Sequence, residues 1–296
     1  MSLVSLVKIK NCRIKHAIEE SLSLINYEFP YRAQRIVIKP NLCYYWDYTT
    51  GQTTDPRFIA ELIELIQEKT EGDVRISIVE SDASAMICKY AFKMLSYEKL
   101  VKKYGVRLIN LSSEEAVRAN ITVEGRTFQF MIPKIIKEAD VKINVPKIKY
   151  TVRGIELTCA LKNIYGCNPD PKKFKYHRVL NEVIVALNKL MRFNLCIVDG
   201  NIVSGAHPRK LGLVMASQDP VALDAAAAEI AGLNPKKIKY LQLAEKEGLG
   251  KTLYIPRGEP IEYFTARYPR KDFKKKLMDK AYTILVLTRL DKKLGV

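Results

Sequence analysis

Arg35-Ile36-Val37-Ile38-Lys39-Pro40-Asn41-Leu42 sets the architecture: a β-branched run closes on a cation, a proline and an amide, and Pro56–Lys69 follows at helical spacing. A strand buried on both faces reads as an unbroken apolar run rather than an alternating one, so this unit belongs to a parallel sheet under helices. The same unit recurs along the chain. Strands are predicted at Leu3–Ile9, Val74–Val79, Val106–Leu111, Val141–Val145, Leu195–Val198 and Leu211–Ala216. Helices are predicted at Ile14–Ile25, Tyr90–Tyr104, Ile135–Ala139, Val179–Met191, Pro220–Ala231 and Ile238–Glu247. The expectation is an α/β fold, a mostly parallel sheet flanked by helices on both faces. One passage breaks the alternation: Asn120–Val123 and Thr127–Ile132 flank Glu124-Gly125-Arg126, a small antiparallel hairpin insertion.

The chain has 296 residues, 48% hydrophobic and 27% charged, enough to bury a sizeable core and too apolar for a disordered tail protein. Lys and Arg number 49 against 32 Asp and Glu, a formal net charge of +17, which favours an anionic partner. Part of that charge sits at the end, where Arg267–Val296 carries ten Lys or Arg and three Asp. There Phe273, Leu277, Ala281, Ile284, Leu285 and Thr288 fall at helical spacing. Residues 1–255 are therefore expected to form the α/β domain, and 256–296 a basic amphipathic helical extension. Its stripe either docks on the core with its lysines solvated, or meets RNA or another polyanion, or lies on an acidic membrane surface.

No apolar run approaches the roughly 20 residues that cross a bilayer, and the first residues lack the pattern of a secretory signal. Cys12, Cys43, Cys88, Cys159, Cys167 and Cys196 are scattered singly, so reduced thiols in a cytoplasmic protein are expected and no iron–sulfur cluster is encoded in this chain. A thermophilic source would also fit the lysine-rich composition. With three histidines, His16, His177 and His207, a multi-histidine metal site has too few ligands.

In an open α/β sheet, ligands bind beyond the carboxyl ends of the strands. The polar residues expected there are Lys39 and Asn41 after one strand, Asp82 after Val74–Val79, Asn144 and Lys147 around Val141–Val145, and Asp199 after Leu195–Val198. Each also has a plain structural explanation, such as a solvated strand end for Lys39 or an Asx turn for Asn41. Asp55-Pro56 and Asp219-Pro220 match an aspartate cap followed by proline at the first helical position. The stretch from Cys159 to Arg178 gathers Lys162, Asn163, Gly166, Lys172, Lys173, Lys175 and His177. His177, expected to begin a helix, is the candidate general acid or base, with His207 the weaker alternative. Asp82, Asp199, Asp219 and Asp224 could offer oxygen ligands to a divalent metal such as Mg²⁺. The motifs of P-loop kinases, dinucleotide Rossmann enzymes, α/β-hydrolases and zincins are missing from the sequence.

Taken in order, Ile38-Lys39-Pro40-Asn41-Leu42, Thr53-Thr54-Asp55-Pro56, Val79-Glu80-Ser81-Asp82, Ile143-Asn144-Val145-Pro146-Lys147, Ala160-Leu161-Lys162-Asn163-Ile164-Tyr165-Gly166, Val198-Asp199-Gly200 and Ala216-Ser217-Gln218-Asp219-Pro220-Val221-Ala222-Leu223-Asp224 resemble the DUF362 family. The match runs from about residue 35 to residue 250. The resemblance implies an α/β domain with a polar site at these positions and supplies no established reaction. Many relatives carry ferredoxin-like segments, which this chain lacks. The favoured expectation is a site that binds or converts a small anionic, phosphorylated or otherwise acidic metabolite. Lys39, Asn41, Thr54, Asn144, Lys147, Lys162 and Asn163 would bind it, and His177, Asp82 and Asp199 would handle protons. An enzyme is favoured, its reaction class open. Two alternatives stand beside it: an RNA- or ribosome-associated protein using the basic surface, and a redox partner of a separate iron–sulfur protein.

Overall fold

The computed structural model describes residues 1–42, 44–151 and 155–270. Twelve strands form within them: β1 (Ser2–Lys8), β2 (Arg35–Pro40), β3 (Arg75–Glu80), β4 (Arg107–Asn110), β5 (Ala116–Val123), β6 (Arg126–Pro133), β7 (Val141–Val145), β8 (Lys149–Thr151), β9 (Glu156–Thr158), β10 (Leu195–Val203), β11 (Arg209–Ser217) and β12 (Tyr254–Gly258). Eight of them make the central sheet in the order β12-β1-β11-β10-β7-β2-β3-β4. From β10 to β4 every pairing is parallel; β11 alone runs against its neighbours, antiparallel to both β1 and β10.

Successive residues of each central strand enter opposite cores, which is why the strands read as continuous apolar runs. Val37, Val79, Val198 and Met215 pack with the helices Leu180–Met191, Pro220–Ile230 and Lys239–Lys246. Ile36, Ile38, Ile78, Ile143 and Ile197 pack on the other side with Ile14–Leu24 and Pro56–Lys69. Pro56–Lys69 buries Phe58, Ile59, Leu62, Ile63, Leu65 and Ile66; each such side chain contributes about 1.5–3 kcal/mol when taken out of water. The Asp55 carboxylate caps that helix through Arg57 N, and Pro56 occupies its first turn, so the cap read in the sequence forms as expected.

Three expectations change in detail. The helix expected over Tyr90–Tyr104 is two, Cys88–Met94 and Glu98–Tyr104, because Ser96 turns left-handed at φ +64° and drops Tyr97 into the core, where its hydroxyl donates to Thr54 O at 2.9 Å. The strand expected to end at Val198 continues to Val203, since β11 pairs with it on through a bulge between Gly200 and Ile202. Asp199 thus lies within β10 rather than in the loop beyond it. The hairpin forms with Glu124 and Gly125 both at positive φ, the turn a two-residue hairpin requires, and stands apart from the main sheet as an insertion. Its Phe130 ring lies 5.7 Å from that of Tyr176.

Past Pro256 the chain completes β12 against β1, and Phe264 and Tyr268 are buried. The amphipathic stretch Phe273–Thr288, and with it any partner of the basic tail, lies outside the described residues. No helix among the described residues is long and apolar enough to cross a membrane.

Candidate functional site

The parallel strands β10, β7, β2 and β3 bring buried polar residues to one rim, Asp199 within β10, Asn144 within β7, Lys39 within β2 and Glu80 at the end of β3. Lys39 is the last residue but one of β2 and Glu80 the last of β3, and the two side chains form an ion pair of 2.8 Å at 1% and 3% exposure. Lys39 Nζ also donates to Pro40 O at 2.7 Å. Beyond β7, Lys147 pairs with Asp199 at 3.0 Å, each side chain 1% exposed. The Asp199 carboxylate accepts two further backbone N–H groups, from Asp55 at 2.9 Å and Asn201 at 3.1 Å. A carboxylate so surrounded has its desolvation offset by charge-assisted hydrogen bonds.

Between the two ion pairs runs a relay of amides. Lys149 Nζ donates to Asn41 Oδ1 at 2.7 Å, Asn41 Nδ2 to Asn163 Oδ1 at 2.8 Å, Asn163 Nδ2 to Asn144 Oδ1 at 2.7 Å, and Asn144 Nδ2 to Ala160 O at 2.9 Å. Thr54 fastens this line to the sheet, accepting from Asn41 N at 2.8 Å and donating to Val145 O at 2.9 Å. Every amide orientation is fixed by its neighbour, which makes the floor of the rim a single rigid unit.

The loop from Gly166 to Lys173 closes over the Lys39–Glu80 pair. A side chain at Gly166 would begin 3.0 Å from Glu80 Oε1 and from Lys39 Nζ, so any larger residue there would have to displace the ends of this ion pair. The Ser81 hydroxyl donates to Gly166 O and accepts from Lys173 Nζ, which also donates to Asp82 O at 2.8 Å. Lys173 is 8% exposed and, among the described residues, forms no ion pair. Burial lowers its pKa; the nearby Glu80 carboxylate opposes that shift and the Lys39 cation adds to it. On the same loop Asn168, 2% exposed, receives Asp170 N on its Oδ1 but has no acceptor for its Nδ2.

Of the expected site residues, Lys39, Asn41, Thr54, Asn144, Lys147, Asn163 and Asp199 share this floor. Lys162 is half-buried in the short helix Ala160–Asn163 beside it. Asp82 is half-buried at the edge, its carboxylate accepting from Cys88 N and Asn110 Nδ2. His177 lies in a 3-10 turn, Lys173–Val179, rather than opening an α-helix; it is exposed, and its ring meets Phe174 edge-on.

The four aspartates considered as oxygen ligands do not gather. Asp219 caps Pro220–Ile230, Asp224 accepts Ala160 N and Leu161 N, Asp199 holds Lys147, and Asp82 holds Cys88 N. Among the described residues no group of three or more His, Cys, Asp and Glu side chains could hold a metal ion. The cysteines described are free thiols, four of them buried.

The family model for "Domain of unknown function (DUF362)" matches residues 36–229. The chain belongs to the DUF362 family. Thylakoid-associated protein sll1697 of Synechocystis is 31% identical over 147 residues, 44% of this chain and 46% of that protein, so the chain spans about half the length of that relative. Among solved structures, the lactate racemase apoprotein of Thermoanaerobacterium thermosaccharolyticum is similar over 79% of this chain and 58% of that one, at 12% identity and a TM-score of 0.44. The DUF362 match contains the whole rim, from Lys39 through Glu80, Lys147 and Lys173 to Asp199.

Four members of this DUF362 rim are not among the residues expected to bind the ligand or handle protons: Glu80, Asp55, Lys149 and Lys173. Glu80 carried a legible signal, since it ends β3 beside the strand that carries Lys39 near its end, and opposite charges near the tips of neighbouring parallel strands are placed to pair. Lys149 and Lys173 carried none beyond lysine in a polar stretch.

Asp224, fully buried behind this floor, has its carboxyl pushed up to about 7 by desolvation, against the lowering effect of the Ala160 and Leu161 amides. Its folded pKa lies above the ordinary unfolded value of about 3.9, so the folded state holds the proton more tightly. The resulting stabilisation is complete below about pH 4 and lost as the pH rises through about 7. Asp224→Asn removes it. Urea midpoints measured across this range should show the wild type losing ground to the variant as pH rises; parallel profiles would contradict the buried, protonatable carboxyl.

Proposed function

We propose that this protein binds a small anionic metabolite, phosphorylated or carboxylated, at the carboxyl edge of its sheet. One observation carries the reading: Lys173 is a buried cation whose ammonium donates, among the described residues, to a hydroxyl and a carbonyl and forms no ion pair, while the neighbouring Lys39 and Lys147 are each paired with a carboxylate. An anion arriving at this rim meets the Lys173 cation, which forms no ion pair among the described residues. The donor of Asn168 without an acceptor supports the same reading, since buried polar groups ordinarily have partners. Lys39 and Lys147 then serve as the rigid floor, and Lys162 is the further cation at the edge.

The test is thermal unfolding in the presence of inorganic phosphate and a set of phosphorylated and carboxylated metabolites. A ligand at about 100 times its Kd stabilises by about 2.7 kcal/mol, which raises Tm by roughly 5 °C in a chain of this size. Lys173→Met should abolish that rise without lowering the Tm of the unliganded protein, because it removes a buried charge that lacks a carboxylate. If no anion raises Tm, or if the rise survives in Lys173→Met, the reading is wrong.

A further inference from the structure

On the β4 side of the sheet, the two short helices Cys88–Met94 and Glu98–Tyr104 present an outer face unlike the rest of the surface. Ile87, Tyr90 and Met94, at helical spacing, are 52%, 51% and 62% exposed, and Val101 on the second helix is 39% exposed. The inner face is ordinary core: Cys88, Ala91, Phe92 and Leu100 are buried. The exposed apolar residues are therefore not a packing error of a sliding helix but a second apolar stripe facing outward. Interleaved with them are the exposed residues Lys89, Lys93, Lys99 and Lys102 against one carboxylate, Glu98. The patch extends to the neighbouring loop, because Ile87 N donates to Tyr45 Oη at 3.0 Å and that loop exposes Tyr44 and Trp46 at 44% and 55%.

We infer that this face docks on an anionic lipid surface. Its charge is cationic, which suits acidic headgroups and sets two copies of the face against each other. All four of its cations are lysine, a residue depleted from protein interfaces, where arginine is enriched. Lysine stems instead lie along an apolar surface while their ammonium groups reach the headgroups, and tyrosine and tryptophan settle at that depth. Four apolar side chains on two short helices, ringed by lysines, insert into the headgroup boundary without crossing it.

The chain supplies its own probe, since Trp46 is its single tryptophan. Full-length protein is mixed with vesicles of phosphatidylcholine doped with phosphatidylglycerol, whose negative surface attracts basic segments, and with pure phosphatidylcholine vesicles. Expected are co-sedimentation with the anionic vesicles alone, loss of binding at high salt, and a blue shift of Trp46 emission on binding. The exposed double substitution Tyr90→Ser/Met94→Ser should weaken binding at least tenfold while leaving Tm unchanged, and Lys89→Gln/Lys93→Gln should weaken it similarly at low salt. Absence of binding to the anionic vesicles overturns the inference. So does sedimentation with no change in Trp46 emission or no loss in the double variants, which would assign the contact to another surface such as the basic C-terminal stretch.

Discussion

Asp199→Ala is expected to cost roughly 3–5 kcal/mol of folding stability, a large share of the 5–15 kcal/mol that holds a typical domain together. The substitution strands the Lys147 ammonium at 1% exposure, 3.0 Å from where its counter-charge stood, and removes the acceptor of the Asp55 and Asn201 N–H groups. Losing one partner of a buried pair is far worse than losing both, because the remaining charge has neither water nor a counter-ion. The double variant Lys147→Met/Asp199→Asn should therefore recover much of the loss, with asparagine Oδ1 still able to accept one amide. Urea unfolding of Lys147→Met, Asp199→Asn and the double variant gives the coupling directly. A single variant within about 1 kcal/mol of the wild type would mean that the pair is solvated, and the rigid floor would go with it. Lys173→Met, lacking a carboxylate to strand, is the contrasting case on the same rim.

Gly51→Ala is expected to be the most damaging of the glycine substitutions. Gly51 closes the turn Tyr48–Thr50 at φ +70°, donating its N–H to Tyr48 O at 2.9 Å. A methyl group there would stand 2.3 Å from Val203 C and 2.4 Å from Ser204 N, backbone atoms where β10 ends. The left-handed conformation alone costs a non-glycine residue roughly 1–2 kcal/mol, and overpacking against immovable atoms about 1–3 kcal/mol more. Gly72→Ala is the control, with φ +73° and no atom within 4 Å of the added methyl, so that only the conformational part is felt. The difference between the two in thermal unfolding isolates the close approach. Because only Gln52 and Thr53 separate Gly51 from Thr54, moving the turn pulls Thr54 from Asn41 and Val145. Any stabilisation of the protein by anions should fall with it. Equal effects of the two substitutions would show that the turn and β10 can separate at little cost.

Much of the rim was legible from residue order, for a specific reason. In a parallel sheet the strand ends all face the same way, so a polar residue that terminates an apolar run is placed at a common edge without knowledge of the contacts. Lys39, Asn144 and Lys147 were found that way. What each side chain does there was not legible. Lys39 reads as a cation for a ligand, yet Glu80 from the next strand takes its charge; Lys173 reads as one of several loop lysines, yet the loop folds it beneath the surface onto Ser81 and Asp82 O. His177 was picked for its chemistry alone, and the 3-10 turn leaves it exposed beside Phe174. Asp199 was placed one structural step too far along, because the sequence does not say that β11 folds back and lengthens β10.

Residue order alone is enough for the class of the fold, the caps at Asp55 and Asp219, the hairpin turn at Glu124-Gly125, and the segments that carry polar residues to the rim. These follow from local rules: side-chain periodicity, proline and aspartate at helix starts, backbone freedom at glycine. Only the tertiary structure decided which cations are neutralised and which are not, and that Ile87, Tyr90 and Met94 face outward among lysines. Burial and charge pairing depend on groups brought together from distant parts of the chain: Lys39 and Glu80 are 41 residues apart, Asp55 and Asp199 144. No local pattern encodes the distance between them.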